Sequence, residues 1–217
     1  MNKTAVFIIK EDGFKGIEGQ VADRVSRRLL QEENGKSLDV YEIAKNKLLK
    51  LKDIYKYKNH DIFIFIYGSL YISREGIKNL SAIVRKQRDF SVIVPVSNES
   101  RVSLQRHAPS FIYQTLSVFK WAMSEVYAQF KDKVIEAEEA DDFCFAFKSK
   151  ILDGLPDDCL LIDLPRILKE SGLRFGIAKG VYVHRYGECY ESRREDLLAH
   201  VPRGARNIFD IGCANGL

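Results

Sequence analysis

Between Asp61 and Asn98 the sequence reads DIFIFIYGSLYISREGIKNLSAIVRKQRDFSVIVPVSN, and this stretch limits the possible folds more than any other. Asp61 to Ile66 reads as a short run rich in Ile and Phe, apolar at every position after Asp61, the pattern of a strand buried on both faces of a sheet. Tyr67-Gly68-Ser69 reads as the turn that ends it. Ser73 stands where a helix N-cap stands, because its hydroxyl can accept from an unpaired N–H of the first turn. Ile77, Leu80, Ile83 and Val84 then recur at helical spacing. Phe90 to Val96 is a second apolar, β-branched run, closed by Ser97-Asn98. Strand, helix and strand over so short a length predict a right-handed crossover between parallel strands. Ligands of such sheets bind at the C-terminal ends of the strands, here Tyr67-Gly68-Ser69 and Ser97-Asn98-Glu99.

The same alternation runs through the chain. Thr4 to Ile9 is a predicted strand, followed by Gly13, Gly16 and Gly19 and a helical stretch with Val21, Val25, Leu29 and Leu30 on one face. The glycine spacing fits no phosphate loop: it has neither Gly-Lys-Ser/Thr nor a tight Gly-x-Gly-x-x-Gly, so these read as turn glycines. Leu38 to Leu51 predicts an extended piece and then a basic helix. Asn98 to Pro109 is a polar loop holding Arg101, Gln105, Arg106 and His107. Phe111 to Phe130 predicts a long helix carrying the single tryptophan, Trp121. Lys133 to Glu138 and Phe143 to Phe147 read as strands, separated by an acidic loop. Leu160 to Ser171 predicts a helix with Pro165 in its first turn and Gly172 at its end. Phe175 to Val183 is a further strand, leading into His184-Arg185-Tyr186-Gly187.

In a chain of 217 residues this gives an α/β sandwich with a mainly parallel central sheet and helices on both faces. The net charge of +4 is small and spread out, which gives no footing for nucleic-acid binding. The densest basic region, Lys45 to Lys58, reads as a solvated helix face, or as a face that meets an anionic glycolipid or phosphate. No apolar run approaches the ~20 residues needed to span a bilayer, so at most peripheral membrane contact is expected, with a cytoplasmic location. Cys144, Cys159, Cys189 and Cys213 show no C-x-x-C spacing and read as reduced thiols, not a zinc site.

Several words of the chain, in order, resemble those of a family 2 glycosyltransferase of the GT-A fold. Asp61 to Ser73 resembles the strand that ends in the family's metal-binding Asp-x-Asp. Val94-Pro95-Val96-Ser97-Asn98 resembles its G-P-V-S-N strand and loop. Phe143 to Lys148 resembles the strand before the acceptor site. Asp163 to Phe175 resembles the helix that carries the catalytic base, and Val181 to His184 the late strand ending in a histidine near the donor diphosphate. The likeness covers roughly residues 55 to 190. It implies a GT-A-like three-layer sandwich over residues 1–200, with a reduced nucleotide-binding half. It further implies an inverting transfer from a nucleotide-sugar to a glycan or glycolipid hydroxyl, in bacterial surface polysaccharide synthesis. On the matched positions it places Tyr67, Ser69, His184 and Arg185 on the donor side. Ser97, Asn98 and Gln105 fall on the acceptor-side loop, and Asp163 or Asp158 at the base.

The departures lie in the carboxylates. The two Asp-x-Asp positions are held by Tyr67 and Ser69, neutral groups that cannot replace two carboxylates around a hard cation. The Glu-Asp base pair falls on Leu160 and Leu161; Asp163 remains of the group, and a shifted register would bring in Asp157-Asp158. A divalent cation such as Mg²⁺ or Mn²⁺ is therefore expected only if transfer chemistry survives. The alternative is a catalytically inactive GT-A-like domain that binds glycan or organises a methyltransferase partner. That partner is suggested by Asn207 to Leu217, NIFDIGCANGL, which resembles the first motif of a class I S-adenosylmethionine methyltransferase. Residues 201–217 are then a linker and the start of such a domain, too short to bind the cofactor alone.

Overall fold

The computed structural model describes residues 3–10, 38–44, 49–67, 70–107 and 116–185. They belong to the first of the two units into which the chain divides, Met1–Arg185. Gly13, Gly16 and Gly19, the helical stretch after them, Lys45 to Leu48, Ser69 and the methyltransferase-like tail lie outside the described residues.

Among the described residues eight strands form one sheet: β1 (Thr4–Lys10), β2 (Leu38–Ala44), β3 (Ile62–Tyr67), β4 (Leu70–Tyr71), β5 (Val92–Ser97), β6 (Val134–Ala137), β7 (Cys144–Lys148) and β8 (Phe175–Arg185). The order is β2-β1-β3-β7-β5-β8-β4, with β6 also on β8. The strands β1, β2, β3, β5 and β8 point one way, while β7, β6 and β4 run against them.

β3 and β5 run parallel with α2 between them in the chain, but these strands are not neighbours. β7 lies between them, antiparallel to both, with Phe63 opposite Phe147 on one side and Val92 opposite Phe147 on the other. Local pattern gives the direction of a strand; which strand slips in beside it is decided by the rest of the chain. Two further details differ from the sequence reading. Tyr67 is the last residue of β3 instead of a turn residue, and Leu70-Tyr71 adds a short strand against the end of β8.

Helices cover both faces, as the binary pattern requires. On one face α2 (Arg74–Lys86) packs Ile77, Leu80, Ile83 and Val84 against Ile64, Ile66 and Ile93. Its start is fixed by Ser73, whose Oγ accepts from the Gly76 N–H at 2.9 Å. On the other face lie α1 (Leu51–Ile54), α3 (Leu116–Phe130) and α4 (Leu164–Glu170), over a core that includes Phe7, Phe63, Phe65, Phe145 and Phe147. Pro165 sits in the first turn of α4, and Gly172 follows its end with φ +66°.

β8 is the bent strand that closes the sheet. It follows β5 in register from Phe175 to Ala178, then skips, so that Pro95 faces Ala178 while Val96 faces Tyr182. The three intervening residues form a bulge against the turn after α3, where Lys131 has φ +46°. A Cβ on Gly180 would lie 2.1 Å from the Lys131 carbonyl oxygen, so only glycine fits there.

Candidate functional site

Because β7 is reversed, its first residues meet the last residues of its neighbours. One end of four adjacent strands therefore displays, in order, Tyr67 of β3, Asp141-Asp142 leading into β7, Ser97-Asn98 at the end of β5, and His184-Arg185 of β8. At about 4.8 Å per strand this row spans roughly 15 Å, a length suited to an extended small molecule.

The β5–β8 corner is the most tightly built part. Beyond Ser97 the two backbones separate, and the Asn98 side chain fills the gap. Its Nδ2 donates to the Arg185 carbonyl at 3.0 Å and its Oδ1 accepts from the Arg185 N–H at 2.7 Å. A side-chain amide thus stands in for one more strand residue and fixes where Arg185 points. The guanidinium lies 4.9 Å above the Phe143 ring, donates through Nη1 to the Glu99 carbonyl at 3.2 Å, and is 4.0 Å from Asp141. Its side chain keeps 37% of its surface exposed, so it can still meet an anion.

Asp141 and Gln105 organise the loop after β5. Asp141 Oδ2 accepts from Ser100 Oγ at 2.6 Å and from the Arg101 N–H at 2.8 Å. Gln105 is fully buried; its Nε2 donates to the Pro95 carbonyl at 3.0 Å, and its Oε1 accepts from the Asp141 N–H at 2.8 Å. Pro95 sits where the β5–β8 register breaks, and Gln105 supplies a donor to its carbonyl. Ser97 is buried as well, its Oγ donating to Asn98 Oδ1 at 3.2 Å and accepting from the Glu99 N–H at 3.2 Å. Of the three acceptor-side residues named from sequence, Ser97 and Gln105 thus shape the loop from inside, and Asn98 aims Arg185.

His184 is half-buried beside Phe119, with ring centroids 6.2 Å apart, and burial pulls its pKa down to about 4. At neutral pH it is an uncharged imidazole, which can hydrogen-bond to a ligand but brings no positive charge to a diphosphate. The cationic side chain at this corner is Arg185.

At the β3 end, Tyr67 is committed to the protein. Its ring stacks on Phe65 and Phe145, and its hydroxyl donates to the Leu161 carbonyl at 2.6 Å. Burial, with the negative charges of Asp142 and Asp163 adding to it, pushes the phenol far above its ordinary pKa. It is a neutral clamp between β3 and the segment before α4. Asp163 stands at the N-cap of α4, next to this clamp, without a side-chain capping bond. Asp158 is elsewhere in character: Lys50 at 3.0 Å and Lys52 at 3.7 Å hold it charged and below the usual carboxylate range, on an exposed surface. An ion-paired carboxylate is a weakened base, so the shifted-register alternative loses support. Its neighbour Asp157 accepts from the Tyr55 hydroxyl at 2.5 Å.

The residues at the Asp-x-Asp positions do not fit a hard divalent cation. Tyr67 is neutral and already bonded, and among the described residues no group of three or more His, Cys, Asp or Glu gathers as a metal site would require. From sequence, Asp141-Asp142 belonged only to the acidic loop between two predicted strands. Their place in this row comes from β7 being reversed, which carries that loop to the C-terminal ends of β3 and β5, and no local pattern signals it.

No family model matches the sequence, and no curated protein matches it. Among solved structures, the chain is similar to A197 from STIV at 9% identity, covering 85% of this chain and 86% of that one, with a TM-score of 0.49. It is also similar to the inositol-1-phosphate CTP transferase from T. maritima at 9% identity, covering 95% and 98%, with a TM-score of 0.38.

Proposed function

We propose that this domain takes a nucleotide-sugar along the row of strand ends and passes the sugar to a hydroxyl of a glycan or glycolipid, in surface polysaccharide assembly. The observation that carries the reading is the convergence of Tyr67, Asp142, Asn98 and Arg185 at one end of four neighbouring strands, with Arg185 held in place by both polar atoms of Asn98. In this reading Arg185 meets the diphosphate where the family's pattern would use a carboxylate-held cation. The acceptor oxygen attacks the anomeric carbon, its proton passes to a carboxylate, and the bond to the diphosphate breaks with its electron pair leaving on the nucleoside diphosphate. Asp163 is the better-supported base, since Asp158 is consumed by Lys50 and Lys52.

A second reading is favoured by Tyr67. With that corner closed onto Leu161, the domain keeps the binding row and has lost transfer, serving to bind a glycan or to organise a methyltransferase partner. Thermal unfolding with UDP- and dTDP-sugars, with and without Mn²⁺, separates the possibilities when paired with an assay for released nucleoside diphosphate. A ligand that binds only the native state raises the midpoint. We expect a donor-dependent rise that Arg185→Ala removes. Release of nucleoside diphosphate then supports transfer, and a rise without release supports the binding-only reading. No rise with any donor up to millimolar concentration overturns the donor site itself.

A further inference from the structure

β8 leaves part of one edge without a strand. β6 covers that edge from Phe175 to Ala178, and β4 takes it up again at His184 and Arg185. Among the described residues no strand pairs with residues 179–183 on that side. A cavity of about 420 Å³ remains there, between the start of α2, one side of α3 and residues 180–182. It lies within the size range of small-molecule sites. Its walls are closely packed: a Cβ on Gly76 would come within 3.0 Å of Ile72 and 3.1 Å of Met123, so α2 and α3 meet tightly at one end. Tyr71 lines the cavity and pairs with His184, so the cavity adjoins the β8 end of the row of strand ends.

The lining has two characters. Half-buried Tyr71 and Tyr127 and buried Ile72 and Met123 give aromatic and aliphatic surface. Half-buried Asn79 brings a carboxamide, which both donates and accepts. Neither that amide nor the Tyr127 hydroxyl enters a hydrogen bond among the described residues. Ser124 Oγ donates to the Lys120 carbonyl at 3.0 Å and keeps its lone pairs to accept with. Of the charged residues in the lining, Arg74 and Lys78 are engaged within the protein, while Glu75 and Lys120 are exposed and opposite in sign. The half-buried groups left open are therefore uncharged. A ligand that matches them has apolar faces and a rim of groups that donate and accept. A pyranose ring is built in that way, with C–H faces that lie against aromatic carbon and hydroxyls around its edge.

We propose that this cavity binds an uncharged sugar ring, its faces against Tyr71 and Tyr127 and its hydroxyls on Asn79, Tyr127 and Ser124. Next to the corner that holds Arg185, such a ring is the acceptor's if the domain transfers sugar. That assignment rests on the reading given above; the binding does not.

Saturation-transfer NMR titrations of the full chain with methyl glycosides of glucose, galactose, mannose, rhamnose and N-acetylglucosamine test it, with glucose 1-phosphate and cyclohexanol as charged and apolar controls. At least one glycoside binds with a Kd below about 10 mM, about tenfold or more tighter than cyclohexanol. Asn79→Ala and Tyr127→Ala each weaken that binding about fivefold or more. Alanine is the better helix former at position 79, and an unchanged far-ultraviolet spectrum and melting midpoint establish that each variant folds. Arg185→Ala leaves the glycoside affinity as it is. The proposal is overturned if no glycoside binds below that concentration or if cyclohexanol binds equally well. It is also overturned if glucose 1-phosphate binds the Arg185→Ala protein about tenfold more tightly than every glycoside, or if both folded variants bind as the parent does. With nucleotide-sugar present, a bound glycoside that does not raise release of nucleoside diphosphate removes the acceptor role and leaves the sugar site standing. Glycoside binding without any donor-induced rise in Tm overturns the donor row alone.

Discussion

His184 and Tyr67 show how far a residue's role depends on partners far away in sequence. His184 has its pKa drawn to about 4 by burial, against an ordinary 6.5. The unfolded chain therefore binds a proton between about pH 6.5 and pH 4 that the folded chain refuses, and stability falls as pH drops through that window. Urea denaturation at about pH 7, 5.5 and 4.5 should show a steeper loss for the parent than for His184→Gln, because the variant lacks that titration. If the two lose stability in parallel, burial of a neutral imidazole is not what the site holds. Tyr67→Phe removes the bond to the Leu161 carbonyl and should lower stability by about 1–2 kcal/mol, read from the shift in denaturation midpoint. Neither role could be read from the sequence. Tyr67 was legible as the residue at a strand end, and its neutrality was enough to question the metal. Its clamp is made by Leu161 and Phe145, distant residues that no local pattern connects to it. Ser73, Pro165 and Gly172 were legible because helix ends are governed by neighbours within a turn.

At the scale of elements, the strands and helices follow the apolar periodicity closely, and the departures have a physical reason. β7 was recognised as a strand, but its place between β3 and β5 depends on the hydrogen-bonding edges those strands leave open. The β8 bulge is likewise invisible in an apolar run from Phe175 to Ala178 and on through Val181 to Val183. Gly180 is its one trace. Gly180→Ala drives a methyl group into the Lys131 carbonyl, 2.1 Å away, and backbone on both sides must shift. We expect about 3 kcal/mol of destabilisation, measured by chemical denaturation. Gly154→Ala, whose added Cβ would meet nothing within 4 Å, should by comparison be nearly silent.

For the molecule as a whole, fold class was the easiest property to read: strands alternating with helices leave few arrangements other than a sheet covered on both faces. Among the described residues no helix is long and apolar enough to cross a membrane. The candidate site was legible in outline, as polar residues at strand ends. Its decisive link, Asp141-Asp142 beside Arg185 and Tyr67, came from the reversal of β7 between β3 and β5. That reversal also sets the order in which the molecule can be completed. Ile62 pairs with Lys148, so one edge of β3 stays open until most of the described chain has left the ribosome. Val92 likewise waits for Phe175. Closing such long loops slows folding, and an apolar strand with an open edge is a target for wrong pairing in the meantime. The strand that assembles the site is thus also the step at which a nascent copy is most exposed to aggregation.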